Sequence, residues 1–380
     1  MPNYSDRLAA VQAAMAAHGI DLLFLQRSAS LHYLTGIPRE EQNFGNTMYP
    51  GEWLTGAWIT PSRPPILTIP RMLAAFHMDI QGYDVRVLPD AGDPAALARD
   101  VLDALGVAAA PTVALDERAW AETLLGIEAL RPAARFVSAG PIMRPLRLIK
   151  GEDELAIMRQ AGAITEAAFQ ATLPRLRHGM STLDLISEVN YQLKRHGSAA
   201  PSFVTSFYNM GASHPFDFHN REETLLLPLD APVSVSFDFG AVHDGYCYDY
   251  GRSVFFGEPS PEYRRVHALV MGAQAAGIAA LRAGNTCAQA DAAARAVIAD
   301  AGYGEAFRHR LGHGIGMDVH EPPFLTASDS TALQPGMCFT VEPSIFIPHQ
   351  LGCRVEDVVV VRAGGGEPLT SGFQQLYVVG

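Results

Sequence analysis

The sequence predicts an α+β protein in two parts, an α/β region over residues 1–145 and a larger α+β region over 146–380. Three observations carry this. Before Pro145, apolar positions switch repeatedly between helical and strand spacing, as in an α/β layer. Beyond Gly151, amphipathic helices alternate with runs that read as antiparallel hairpins. The 380 residues are enough for two full cores, and no apolar run approaches the roughly 20 residues needed to span a membrane.

In order along the first part, Asp6 to Ala17 has helical spacing and Asp21 to Leu25 reads as an apolar strand. Tyr33 to Gly36 and Pro65 to Pro70 suggest further strand and turn elements. The aromatic, Gly-rich stretch Asn43 to Trp58 reads as a loop that alters access to a site. Asp93 to Ala104 is a predicted helix and Thr112 to Leu115 a strand. His18, His32 and His77 are isolated and read as structural or exposed. In the second part, Glu152 to Thr172 repeats apolar positions at helical spacing, with acidic residues in the first turn, where the helix dipole favours them. Thr182 to Arg195 and Pro261 to Arg282 follow as amphipathic helices, and Gly364 to Gly366 as a turn between terminal strands.

The chemistry begins with two aspartates eleven residues apart, Asp238 and Asp249. Val233, Val235, Phe237 and Phe239 alternate with Ser234, Ser236 and Asp238, which reads as a strand with one apolar face. Asp244-Gly245 is a hairpin signal, and Tyr246 to Phe256 reads as the return strand. A turn on His243-Asp244 sets the aspartates opposite each other. One on Asp244-Gly245 makes them a diagonal pair on one face, and a three-residue loop separates their faces. In the even cases their Cβ atoms lie roughly 5–8 Å apart, a repulsive arrangement unless a proton or a cation lies between them.

Three later segments add to this. His309 to Glu321 sets three histidines, His309, His313 and His320, among glycines that let backbone approach a ligand closely. Cys338 to Pro343 alternates as a strand with Glu342 away from Phe339 and Val341. Gly352 to Val361 reads as another strand, with Arg354 and Glu356 on one face. A glutamate in so apolar a run must pair or coordinate, because an unpaired buried charge is very costly.

Together these segments resemble the Xaa-Pro peptidase family, the aminopeptidase P and prolidase group related to methionine aminopeptidase. The resemblance runs over essentially the whole chain: Asp-x-Gly…Gly-Tyr-x-x-Asp, Gly-His-Gly-Ile-Gly-x-x-Val-His-Glu, Val-Glu-Pro and Arg-x-Glu-Asp stand in family order. It implies a C-terminal pita-bread catalytic domain preceded by a creatinase-type N-terminal domain that shapes access and contributes to a homodimer. It also implies that Asp238, Asp249, His313, Glu342 and Glu356 ligate two divalent metals, with Asp249 and Glu356 bridging. So oxygen-rich a set suits manganese, and also cobalt, iron or zinc. Two ions roughly 3.5–4 Å apart would hold a bridging hydroxide that attacks an amide carbonyl, with Glu342 as general base. By the same resemblance, His320 contacts the substrate carbonyl or the tetrahedral intermediate, and His309 and Arg354 line the proline side. An upstream histidine is either His219 or His214, with His219 preferred. The expected activity is hydrolysis of Xaa-Pro peptide bonds, by a dipeptidase or an aminopeptidase.

One departure stands out. The family usually writes Asp-x-Thr-Arg-Thr after the second aspartate, where this chain has Asp249-Tyr250-Gly251-Arg252-Ser253. Gly251 therefore removes a hydroxyl beside the metals. Other functions on the same fold are a hydrolase of a small non-peptide amide or amidine, like creatinase or ectoine hydrolase, a dimethylsulfoniopropionate lyase, or a non-enzymatic binding module. Creatinase lacks the metal ligands, whereas all five are present here. The lyase has an extra aspartate where this chain has Gly240, and a binding module would have lost ligands.

The bulk composition fits. A net charge of −12 disfavours nonspecific nucleic-acid binding. Cys247, Cys287, Cys338 and Cys353 show no paired spacing and read as reduced thiols. Met1 to Asp6 lacks the basic and apolar regions of a signal peptide, which suggests the cytoplasm.

Overall fold

The computed structural model describes residues 3–39, 50–76, 82–214, 224–370, 372 and 374–380. His77, His219 and the 43–49 part of the aromatic, Gly-rich stretch lie outside the described residues. The chain divides into two compact units, Met1–Arg147 and Leu148–Gly380.

The first unit is a mixed sheet with helices. Its strands are β1 (Leu22–Gln26), β2 (Gly56–Ile59), β3 (Ile66–Pro70), β4 (Asp84–Leu88), β5 (Thr112–Leu115) and β6 (Arg135–Ser138), in the order β4-β3-β2-β1-β5-β6. Helices α1 (Tyr4–Ala17), α2 (Ala29–Thr35), α3 (Arg71–Phe76), α4 (Pro94–Ala104), α5 (Ala121–Leu130) and α6 (Gly140–Leu148) connect or flank them. The core gathers Leu22, Phe24, Trp58, Val101 and Ile127. Tyr33 to Gly36 is not a strand: it ends helix α2, with Ser28 accepting from Leu31 N at the start and Gly36 in the left-handed region at the end. Local side-chain capping here overrides the apolar, strand-like composition. The described end of the Gly-rich stretch is not an open loop either. Trp53, Leu54 and Trp58 are buried, and the Trp58 indole donates to Thr68 Oγ1 at 2.8 Å.

In the second unit, helices α7 (Glu152–Thr172), α8 (Thr182–Arg195), α9 (Pro261–Ala280) and α10 (Cys287–Asp300) start where the sequence places caps. Glu154 accepts from Gly151 N, Ser181 from Asp184 N, Ser260 from Tyr263 N and Thr286 from Gln289 N. Helix α9 stops at Ala280, two residues short of the sequence reading.

Strands β7 (Ser206–Met210), β8 (Val233–Phe239), β11 (Tyr250–Phe256) and β19 (Tyr377–Val379) form one sheet, ordered β19-β11-β8-β7. A second sheet is ordered β13-β12-β14-β17-β18, from β12 (Gly312–Gly314), β13 (Glu321–Leu325), β14 (Cys338–Val341), β17 (Asp357–Val361) and β18 (Gly366–Pro368). Two short pairs complete the unit: β9 (Val242–His243) with β10 (Tyr246–Cys247), and β15 (Ser344–Ile347) with β16 (Leu351–Arg354). Its helix-side core includes Val266, Val270, Ile298, Phe339 and Val359.

Two strands are broken where the sequence reads them as continuous. The return strand after the hairpin lapses at Tyr248-Asp249, and the run Gly352 to Val361 lapses at Val355-Glu356. The second break has a clear cause. β16 pairs with β15 while β17 pairs with β14, so the chain passes between sheets there. All four cysteines are buried free thiols.

Candidate metal centre

The hairpin turn is the Asp244-Gly245 alternative. Both residues take positive φ, 43° and 80°, and His243 pairs with Tyr246, as a two-residue primed turn requires. The same register pairs Asp238 with Gly251. Asp249 lies two residues before Gly251, diagonal to Asp238 and on its face. The negative charge of Asp238 raises the proton affinity of Asp249.

His313 lies on β12, Glu342 just past β14, and Glu356 in the gap between β16 and β17. Donor atoms of Asp249, His313 and Glu356 all fall within 4.8 Å of one another, and all three residues are buried. His313 Nε2 is 3.6 Å from Asp249 Oδ2 and 3.5 Å from Glu342 Oε1. Its Nδ1 is 3.1 Å from the Gly314 carbonyl, which can only accept. With Nδ1 donating there, Nε2 is the ring nitrogen left facing the carboxylate oxygens. A cation between them resolves that arrangement.

Arg354 holds the carboxylates together. Its Nη1 donates to Asp238 Oδ2 at 3.0 Å, and its Nη2 contacts Glu342 Oε2 at 2.9 Å and also Glu356 Oε2. One guanidinium does not balance Asp238, Asp249, Glu342 and Glu356. Burial, and then the negative charge of Asp238, push Asp249 well above the usual carboxylate range. Burial also pushes Glu356 up against the pull of Arg354, with Asp249 and Glu342 adding to the rise. Glu342 goes the other way: burial would raise it, but Arg354, His313 and His309 outweigh that and hold it low. Buried Asp249 Oδ1 and Glu356 Oε1 have no hydrogen-bond partner among the described residues. Such orphaned carboxylate oxygens facing an imidazole nitrogen fit a divalent metal.

Of the other expected site residues, His320 is exposed, and its ring centroid stands 4.1 Å from that of His313. His309 Nδ1 donates to the Arg310 carbonyl at 2.8 Å, and Ser344 Oγ donates to Nε2 at 2.6 Å. Burial is the main cause holding His309 below the usual imidazole range. His214 is buried, and its Nε2 donates to the Pro228 carbonyl at 3.1 Å, which engages it outside the cluster. His219 lies outside the described residues.

Sequence reasoning missed Tyr208 and Thr340. The Tyr208 hydroxyl donates to Asp238 Oδ2 at 3.2 Å, and burial followed by the charge of Asp238 raises it to about 12. Thr340 Oγ1 donates to Glu342 Oε1 at 3.2 Å and accepts from His313 N at 3.0 Å. The alternation of Ser206, Tyr208 and Met210 was the available signal for β7, and Ser206 pairs directly with Asp238.

Comparison with known proteins agrees. Residues 156–363 match metallopeptidase family M24, and residues 7–149 match the creatinase/prolidase N-terminal domain. An Xaa-Pro dipeptidase of Lactobacillus delbrueckii subsp. lactis is 37% identical over 234 residues, 62% of this chain and 63% of that one, so the match spans less than two thirds of that relative. A probable dipeptidase PepE of Mycobacterium tuberculosis is 32% identical over 99% of this chain and 96% of its own length. The crystal structure of a prolidase from Thermococcus sibiricus superposes with a TM-score of 0.89 at 25% identity, covering 99% of both chains. The second unit thus has the pita-bread fold. Among the described residues no helix is long and apolar enough to cross a membrane. The chain belongs to metallopeptidase family M24, with a creatinase/prolidase N-terminal domain, and is a metallo-exopeptidase.

Proposed function

We propose that the protein hydrolyses Xaa-Pro dipeptides at a two-metal centre. The observation that carries this is the buried donor cluster Asp249, His313 and Glu356, with its orphaned carboxylate oxygens. Asp238, Asp249, His313, Glu342 and Glu356 would hold two divalent ions, manganese by preference, with Asp249 and Glu356 shared between them. When bound, the ions supply a water acidified towards neutral pH and positive charge for the amide oxygen.

The chain's own residues do the rest. Glu342 is held low chiefly by the positive charge of Arg354, so its carboxylate can accept the proton of the attacking water. Thr340 Oγ1 orients that carboxylate by donating to Oε1. His320, exposed beside His313, donates to the substrate carbonyl oxygen as charge develops there. His309, kept neutral and fixed by Ser344 and the Arg310 carbonyl, walls the proline ring together with Arg354. A pocket matched to a rigid ring loses little ordering entropy on binding. The upstream histidine is assigned to His219, since His214 Nε2 is already engaged by Pro228.

Homodimeric assembly and a cytoplasmic location belong to the same reading. Four buried free thiols support a reducing compartment. The test is a substrate panel with added manganese. Ala-Pro and Met-Pro should be cleaved at least tenfold faster than Ala-Ala and Met-Ala, a gap of about 1.4 kcal/mol in barrier. Longer Xaa-Pro peptides in the same panel distinguish a dipeptidase from an aminopeptidase. Comparable rates for proline and alanine substrates, or hydrolysis of a small cyclic amidine alone, would overturn the reading.

A further inference from the structure

Behind the candidate centre lies a second buried polar cluster, Gln274, Asp357 and Arg252, that touches none of the orphaned oxygens. Arg252 Nη1 donates to the carbonyls of Gly251 and Glu356, each at 2.7 Å, and its Nη2 donates to Asp357 Oδ1 at 2.7 Å. Its guanidinium lies 4.2 Å from the Tyr250 ring centroid. The other oxygen of Asp357 accepts from Gln274 Nε2 at 3.0 Å, and the same nitrogen donates to the Val341 carbonyl at 3.2 Å. Both partners of that nitrogen are acceptors only, so the amide has one consistent orientation. All three side chains are buried.

The main-chain atoms they grip are informative. Val341 is the residue before Glu342. The Glu356 carbonyl belongs to a proposed ligand itself, and Gly251 is two residues after Asp249. Gly251 and Glu356 also exchange backbone hydrogen bonds, of 3.2 and 2.9 Å. A single chain of bonds thus runs from helix α9 through Gln274 to the backbone beside three of the proposed ligands, which come from three separate strand ends. Nothing else among the described contacts gives one helix a polar hold on both the Glu342 and the Glu356 segments.

We propose that Gln274, acting through Asp357 and Arg252, is a positioning residue that sets the spacing of Glu342 and Glu356 and so tunes the affinity of the centre for its metals. The proposal rests on the ligand assignment above. It also locates a control of metal affinity on a helix that supplies none of the proposed ligands.

The test uses full-length, metal-free protein, with manganese titrated by calorimetry and cobalt(II) visible absorption as a readout of coordination geometry. Gln274→Leu should weaken manganese binding about tenfold or more and shift the cobalt bands, as loss of a group that orients a ligand does. Arg252→Lys, which cannot reach two carbonyls and Asp357 together, should act in the same direction and serves if the leucine variant does not fold. Val270→Ala on the same helix creates a cavity in the core; it should lower the melting temperature yet keep the wild-type affinity and spectrum. Wild-type binding and spectrum in Gln274→Leu and Arg252→Lys would overturn the proposal. So would equal losses in Val270→Ala. Asp249→Asn separates the two readings: if it binds manganese as wild type does, the ligand assignment itself has failed.

Discussion

Glu356 occupies the space that a side chain at Gly251 would need. A Cβ placed on Gly251 would stand 2.9 Å from Glu356 Cβ, 3.1 Å from its Oε2 and 3.3 Å from the Phe237 carbonyl. The departure from the family's usual threonine is therefore not a simple loss of a hydroxyl. The glutamate lies against the bare backbone of Gly251, and Arg354 holds its Oε2 there.

Gly251→Thr should consequently weaken the centre rather than restore it. The new side chain must displace Glu356, and misplacing a metal-orienting group costs about 10- to 100-fold in affinity or activity. Gly251→Ala should show most of the effect, because the clash begins at Cβ. Manganese affinity by calorimetry checks this, and an unchanged or tighter constant for the threonine variant would show that Glu356 moves freely.

Asp249→Asn should abolish activity while making the metal-free protein more heat-stable. Burial and the charge of Asp238 both disfavour the ionised aspartate in the empty site, and a neutral amide of the same shape removes that repulsion. A gain of about 1 kcal/mol corresponds to about 2–4 °C. The rise in melting temperature that manganese gives wild type should vanish in the variant. Metal-free melting below that of wild type would contradict the electrostatic account.

Arg354→Met should cost the metal-free protein about 3–5 kcal/mol, the usual loss when one partner of a buried ion pair is removed. Asp238, Glu342 and Glu356 would be left without their shared cation. Added manganese should recover much of the loss, since it supplies positive charge to the same oxygens. Activity on Ala-Pro should stay low even at saturating metal if Arg354 also walls the proline pocket. Full activity at saturating metal would confine Arg354 to an electrostatic role.

A pH effect is expected at Asp329. Burial opposes its ionisation, but hydrogen bonds from Thr331 and from the backbone of Phe324 outweigh that and hold its carboxyl below the usual range. A depressed folded value contributes stability above the unfolded pKa, about 3.9, and that stability is lost as pH falls through the folded value. Asp329→Asn should therefore lower the melting temperature at pH 7 and make little difference near pH 2. An equal loss at both values would assign the residue a purely steric part.

Much of the second unit was legible because its signals are local. Helix α7 begins at Glu152 and ends at Thr172, as the acidic first turn and apolar spacing indicate, and Asp244-Gly245 forms the primed turn that sets the Asp238 register. The interruptions at Asp249 and Glu356 were not legible. They arise because strands change partners between sheets, and alternation along one segment carries no information about the other. Tyr208 was hidden for the same reason, since only pairing with β8 brings it to Asp238. In the first unit, composition misled at Tyr33 to Gly36, where Ser28 and Gly36 cap a helix that apolar residues alone do not announce.

The reciprocal backbone bonds between Gly251 and Glu356 have a consequence for what each segment can offer an ion. They satisfy the two peptide groups with each other at a strand break, so only the side chain of Glu356 is left there to meet a metal. A substitution that disturbs this backbone pair would therefore shift the ligand as a whole and not merely rotate its carboxylate.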